Sequence, residues 1–163
     1  MATETSVTVR TLFAPDDDTT GEFLRFVGRA RRSIHILIFG YHLPALTDLL
    51  IAKHGSGVSV RLLLDHSQSK GHAEAGEVAR LLAAHLDVVV GTSPVHHQIL
   101  HSKFTVVDGQ WVEDGSWNYS LSAPSQANTM NFVHDAARAA GFIAHWQRLR
   151  DWIVANEPGL QPS

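Results

Sequence analysis

Two nearly continuous apolar segments, residues 33 to 39 and 58 to 65, most strongly constrain the fold of this chain. Each has the length of a β-strand, and unbroken apolar character is typical of strands covered on both faces. Between them, Pro44 begins a segment with the leucine spacing of an amphipathic helix, which extends to Lys53. A strand, a helix and a second buried strand predict parallel pairing through a right-handed crossover.

The rest of the chain continues this alternation. We expect a strand over residues 6 to 13, helices over 20 to 31 and 73 to 85, short strands over 88 to 91 and 130 to 134, and a final helix capped by Asp135, with an apolar stripe of Phe142, Trp146, Leu149 and Ile153. The sequence thus predicts an α/β fold with a mixed, mostly parallel central sheet flanked by helices on both faces. We expect a single domain over residues 1 to 163, with its core from about 6 to 154.

Composition limits the classes of function. The 163 residues include no cysteine, which excludes disulfides, zinc–thiolate sites and cysteine nucleophiles. The net charge of −3 predicts no broad basic surface, so any affinity for phosphate must be local. No apolar run approaches the ~20 residues of a membrane helix, and the N-terminus is not of the secretory type. We therefore expect a cytoplasmic protein without stable membrane association.

The segment from residue 99 to 107 carries the first group of candidate site residues. It is rich in β-branched and apolar residues, which favours a strand, and alternate side chains of a strand share a face. Leu100, Phe104 and Val106 would then pack in a core, while His101 and Lys103 share the opposite face. An imidazole beside an ammonium group is costly unless an anion meets them.

A hairpin would return the chain to this site. Asp108 and Gly109 have turn chemistry, and an extended segment follows them, on which Ser116 and Asn118 share a face by the same parity. A nucleophile or base, a fixed positive charge, a hydroxyl and an amide could thus converge on a phosphate. Asp108 has the wrong parity to join His101, so we expect it to hold the hairpin or to pair with a basic group.

The spacing His101-x-Lys103-x4-Asp108-x6-Gly115-Ser116, followed by Asn118, resembles the HxK(x)4D motif of the phospholipase D superfamily, and most closely its small single-motif bacterial nucleases. The resemblance implies a metal-independent phosphodiesterase that needs no cofactor, with a catalytic set of His101, Lys103, Asn118, Ser116 and Asp108. It further implies a phosphohistidine on His101. Lys103 and Asn118 would bind the non-bridging oxygens, and Ser116 would orient His101 or the phosphate.

The number of motifs in the chain bears on its expected partner. The superfamily uses two facing motifs and this chain has one, so the resemblance implies a homodimer with a shared site. The family commonly carries a Glu-Asn pair downstream of the motif, where this chain has Met130 and Asn131; Asp114 is a candidate substitute for that carboxylate.

Three functions stay open. The favoured one is an endonuclease acting on DNA or RNA. The others are a phospholipid-hydrolysing enzyme and a catalytically weakened domain that binds phosphodiesters. Residues 65 to 71 form either a substrate loop or a plain surface loop.

Overall fold

A computed structural model describes residues 7 to 162 of the chain. A seven-stranded sheet forms its centre, in the order β1-β9-β7-β6-β2-β4-β5, and β3 and β8 form a separate two-stranded sheet. The strands are β1 (Thr8–Ala14), β2 (Ser33–Ile38), β3 (Tyr41–His42), β4 (Ser59–Asp65), β5 (Asp87–Gly91), β6 (Lys103–Val107), β7 (Trp111–Gly115), β8 (Tyr119–Ser120) and β9 (Asn128–His134). The helices are α1 (Thr19–Gly28), α2 (Pro44–Gly55), α3 (His66–Ser69), α4 (His72–Ala83) and α5 (Ala136–Asn156), with 3-10 turns at Ala123–Ser125 and Pro158–Leu160.

The mixed sheet flanked by helices confirms the predicted fold class, but its parallel part is smaller than expected. Strands β2, β4 and β5 pair in parallel through the predicted crossovers. The other four pairings of the large sheet are antiparallel. The reason is local: the hairpin between β6 and β7 reverses the chain, and β9 and β1 then add to its outer edge.

Two apolar layers enclose the sheet. Side chains of α1, α2 and α4 pack on one face, together with Trp117 and Met130. Helix α5 covers the other face through the predicted stripe, in which Trp146 and Ile153 are fully buried. The indole of Trp146 also donates a 2.8 Å hydrogen bond to the backbone oxygen of Ile36, which fixes α5 against the central strand β2. Asp135 caps α5, as predicted.

The largest departure from the predicted elements lies just before the motif. Residues 92 to 102 contain no helix or strand, so β6 begins at Lys103 and not near residue 99. The predicted alternation of faces nevertheless holds, because Leu100, Phe104 and Val106 pack in the layer beneath α5. Thr105 lies on the opposite face, where its hydroxyl lies 2.6 Å from that of Tyr119. Within residues 7 to 162, no helix is long and apolar enough to cross a membrane.

Candidate active site

His101 and Lys103 lie side by side at the start of β6. The Lys103 Nζ donates a 2.9 Å hydrogen bond to the backbone oxygen of His101 and lies 3.4 Å from its Nε2. An ammonium group that donates to Nε2 requires that nitrogen to carry its lone pair, the form in which an imidazole acts as a nucleophile. Lys103 is 9% exposed, and this burial lowers the pKa of its ammonium group. An anionic ligand would compensate that cost.

The irregular segment that carries His101 is held by a carboxylate and an aromatic ring. Asp65, fully buried at the end of β4, accepts a 2.8 Å hydrogen bond from the backbone N–H of Leu100. Its other oxygen accepts from the backbone N–H groups of Ser67 and Gln68. The ring of Phe39 lies 4.7 Å from the imidazole of His101, centroid to centroid and nearly edge-on. Asp65 therefore positions the motif from β4, on the far side of β2 from β6.

Asn118 lies in the loop after β7, not in a strand, and it contacts Gly40, the residue after the Phe39 ring that packs on His101. The prediction that Ser116 and Asn118 lie on one strand is wrong, because β7 ends at Gly115. The Oδ1 of Asn118 accepts a 3.2 Å hydrogen bond from the backbone N–H of Gly40. Its Nδ2 makes no hydrogen bond to any residue between 7 and 162, which leaves two donors for a ligand. A Cβ on residue 40 would lie 3.2 Å from the amide carbon of Asn118, so a larger residue there would press on the amide.

Ser116 is exposed, and its hydroxyl is already used by β9. It donates to the Oδ1 of Asn128 and accepts from the backbone N–H of Thr129, both at 3.0 Å. Gly115 allows this pairing, since a Cβ there would overlap the backbone oxygen of Thr129. The arrangement fixes the loop that carries Asn118, and a direct contact of Ser116 with His101 or a phosphate stays a prediction.

Asp108 lies at the far end of β6, five residues or roughly 16 Å along the strand from Lys103. Its carboxylate accepts hydrogen bonds from the backbone N–H groups of Arg31, Arg32 and Ser33. Burial opposes ionisation, but these hydrogen bonds prevail and hold the pKa of Asp108 below its usual range. Asp108 has a φ of 55° and Gly109 of 67°, as a type I′ turn requires. The carboxylate thus joins the hairpin to the start of β2, the structural role expected from its parity.

Within the described residues, no carboxylate takes the place of the family glutamate beside His101. Met130 is fully buried and packs in the layer beneath α1 and α2. The suggestion that Asp114 substitutes for the family glutamate is wrong. Asp114 faces α5 and pairs with Arg138 of that helix, and it accepts a hydrogen bond from Asn131 of β9. Among residues 7 to 162, the imidazole of His101 has no acidic hydrogen-bond partner. Nor does this part of the chain contain a group of three or more His, Cys, Asp or Glu residues that could hold a metal ion.

A cavity of about 360 Å³ opens beside Asn118. Its walls come from the segment after β2, the start of α4 and the loop after β7, and they include Phe39, Gly40, His42, His72, Glu74 and Gln126. Sequence reasoning missed Phe39, Gly40 and Glu74, since their contacts depend on tertiary packing. The sequence did indicate a functional position at Asp65, because a polar residue at the carboxyl end of a buried parallel strand often lies near a ligand.

Comparisons with known proteins agree with this geometry. The family described as "Cardiolipin synthase, PLD-like domain" matches residues 23 to 150. A phospholipase D of Rickettsia prowazekii is 30% identical over 139 residues, which cover 85% of this chain and 65% of that protein. A mitochondrial cardiolipin hydrolase of Chlamydomonas reinhardtii is 26% identical over 79% of this chain and 56% of its own length. The chain therefore spans less than two thirds of these relatives.

Among solved structures, Nuc of Salmonella typhimurium, a phospholipase D family member, superposes with a TM-score of 0.81 at 22% identity. The match covers 88% of this chain and 94% of Nuc, and it shows the same fold over nearly the whole of both chains. Family match, fold and motif geometry together identify the chain as a member of the phospholipase D-like family.

Proposed function

We propose that this protein is a metal-independent phosphodiesterase that forms a phosphohistidine on His101. The observation that carries the proposal is the pairing of His101 Nε2 with Lys103 Nζ at 3.4 Å, on a site where the amide of Asn118 keeps free donors. An ammonium group and an amide placed together can bind the non-bridging oxygens of a phosphodiester. They also stabilise the charge that grows on these oxygens as the nucleophile attacks.

The reaction then has two displacements. The lone pair of His101 Nε2 attacks phosphorus, a P–N bond forms, and the bond from phosphorus to the leaving oxygen breaks as that oxygen takes a proton from an acid. In the second step, a water oxygen attacks phosphorus and the P–N bond breaks, and the group that served as the acid takes the proton of the water. A second histidine suits this acid–base role.

The second histidine is His101 of another copy of the chain, in a two-fold symmetric dimer. One motif per chain supports this assembly, since both steps need two such groups at one phosphorus. Mixing the parent protein with an equal amount of the His101→Ala variant tests it. If subunits pair at random, about a quarter of the dimers contain two parent chains. The mixture should then show about a quarter of the activity of the same total amount of parent protein if both histidines serve one site, but about half if each chain acts alone. A value near one half refutes the shared site.

The substrate we propose is DNA or RNA, cleaved internally. The cavity beside Asn118 supports this choice because its walls combine polar side chains with the flat rings of Phe39, His42 and His72. Such walls suit a nucleotide better than an acyl chain. The resemblance of the motif to the single-motif bacterial nucleases points the same way.

The deciding experiment is hydrolysis of single- and double-stranded DNA and RNA in excess EDTA. We expect cleavage by the parent protein and none by the His101→Ala variant. His97→Ala is the matched control, because His97 is an exposed histidine of the same irregular segment. Cleavage that EDTA abolishes, or that survives the loss of His101, refutes the mechanism.

Hydrolysis of a phospholipid is the second candidate, and one observation favours it. Val95 and Ile99 before the motif and Leu121 after it are 64%, 42% and 61% exposed. Exposed apolar side chains on both sides of a catalytic segment are suited to a lipid surface. Anionic phospholipid vesicles, assayed beside the oligonucleotides, separate the two. Turnover of vesicles alone would replace the nuclease proposal, and turnover of neither substrate would point to a phosphodiester-binding domain weakened by Met130.

A further inference from the structure

The cavity beside Asn118 contains an acidic side chain that the proposed chemistry does not use. Glu74 lies near the start of α4 and is 6% exposed. It lines the same cavity as Asn118 and Phe39, and the Phe39 ring also contacts His101. A ligand whose phosphate met Lys103 and Asn118 would therefore extend towards Glu74.

The two oxygens of Glu74 differ. Oε2 accepts a 2.9 Å hydrogen bond from the backbone N–H of Tyr41, whereas Oε1 is buried and has no partner within residues 7 to 162. Burial is the main reason that the pKa of Glu74 is raised to about 7; the Tyr41 N–H opposes this rise, and Asp65 adds to it. Buried polar groups are nearly always paired, so the unpaired Oε1 of a residue that lines the cavity is a candidate acceptor for a ligand's donor.

We propose that Glu74 is a specificity-determining residue that accepts a hydrogen bond from the amino group of the nucleobase next to the scissile phosphate. The inference rests on the proposed nuclease function and extends it to base preference. A carboxylate oxygen accepts from the amino group of cytosine but is repelled by the carbonyl oxygen that thymine carries at the same position. The flat rings of Phe39, His42 and His72 offer surfaces on which the base can stack.

The geometry predicts how a glutamine would alter this preference. The N–H of Tyr41 needs an acceptor, so the side-chain oxygen of Gln in the Glu74→Gln variant must turn towards it. That orientation puts the amide NH₂ where Oε1 lies in the parent protein. A donor replaces an acceptor, and the preference should move from cytosine to thymine.

The test compares cleavage of oligo-dC and oligo-dT single strands at pH 8 in EDTA, as a ratio of kcat/KM. We expect the parent protein to favour oligo-dC by ~10-fold, the order of one good contact to a base. In Glu74→Gln the ratio should fall to one or below, mainly through faster cleavage of oligo-dT. Glu77→Gln is the matched control: Glu77 lies on the same helix and is 7% exposed, but it pairs with Arg80 and does not line the cavity.

Each outcome has one meaning. A parent ratio near one overturns the assignment of Glu74, whatever the variants do. A parent preference that Glu74→Gln retains, or that Glu77→Gln loses equally, also overturns it. If the parent protein cleaves neither oligonucleotide, the proposed nuclease function itself fails, which is distinct from the loss of base preference.

Discussion

Glu113 lies in the core opposite Thr105 of β6, and replacing it with glutamine should remove much of the stability that the protein loses as pH rises. It is fully buried on β7, where Oε2 accepts a 2.6 Å hydrogen bond from the hydroxyl of Tyr119 and Oε1 has no partner among the described residues. Burial is the main cause that raises the pKa of Glu113 to about 8, from an ordinary value of 4.5. The folded protein therefore keeps this proton over a pH range in which the unfolded chain has lost it.

The difference between the two pKa values sets the sign and size of the effect of pH on stability. Below pH 4.5 Glu113 is protonated in both the folded and the unfolded state, so it adds no pH dependence to the free energy of unfolding. As pH rises towards 8 only the unfolded chain releases the proton, so the free energy of unfolding falls by ~1.4 kcal/mol per pH unit. Between pH 5 and pH 8 the parent protein should lose ~4 kcal/mol relative to Glu113→Gln, which cannot ionise. The amide can still accept from Tyr119, and its NH₂ then lies where the equally unpaired Oε1 of the parent protein lies, so the two proteins should differ little while Glu113 is protonated.

Glu113→Gln should consequently be about as stable as the parent at pH 5 and more stable at pH 8.5. Urea unfolding at fixed protein concentration measures the difference, since the stability of a dimer depends on concentration. Glu22→Gln is the control: Arg10 and Arg25 lower the pKa of Glu22, so its effect should not change between pH 5 and 8.5. Parallel pH profiles for the parent and Glu113→Gln would refute the reasoning.

Three further predictions concern the site and its support. Lys103→Ala and Asn118→Ala should each lower kcat by ~10²-fold or more, because both stabilise transition-state charge; a loss confined to KM in steady-state kinetics would contradict that role. Gly40→Ala should displace the Asn118 amide and lower kcat by ~10-fold with the fold intact by circular dichroism, and full activity would show that the close approach is dispensable. Asp108→Ala should cost ~3 kcal/mol of stability in urea unfolding, since three backbone N–H groups lose their acceptor, while kcat per folded molecule stays unchanged; a catalytic role would lower kcat instead.

The sequence predicted the sheet-forming segments and the motif well, because both depend on local patterns. Continuous apolar runs identified β2 and β4, and the spacing of the stripe on α5 predicted the burial of Trp146 and Ile153. Strand parity correctly put Lys103 and Thr105 opposite Phe104 and Val106. It failed at Ser116 and Asn118, since parity has meaning only inside a strand and β7 ends at Gly115.

The support of the site could not be predicted in the same way. Asp65 and Leu100 are 35 residues apart in sequence. Gly40 and Glu74, which both line the cavity, are separated by nearly as many. No periodicity relates such positions, because their contacts arise only when β2, β4 and α4 have packed. A motif search identifies the reacting groups, whereas the residues that orient them and shape the cavity require the tertiary structure.

The orientation of His101 depends on packing and on Lys103, since the imidazole has no carboxylate partner among the described residues. A carboxylate on the imidazole would fix both ring direction and tautomer, but Met130 is packed in the core and Asp114 faces α5. Here the ring direction comes from the edge-on contact with Phe39 and from Asp65, which fixes the backbone at the preceding residue. The ammonium group of Lys103, 3.4 Å from Nε2, favours the tautomer in which that nitrogen carries the lone pair. Packing and a cation thus orient His101 in place of a carboxylate, and we expect the proposed activity to depend on Phe39 and Asp65 as well as on the motif.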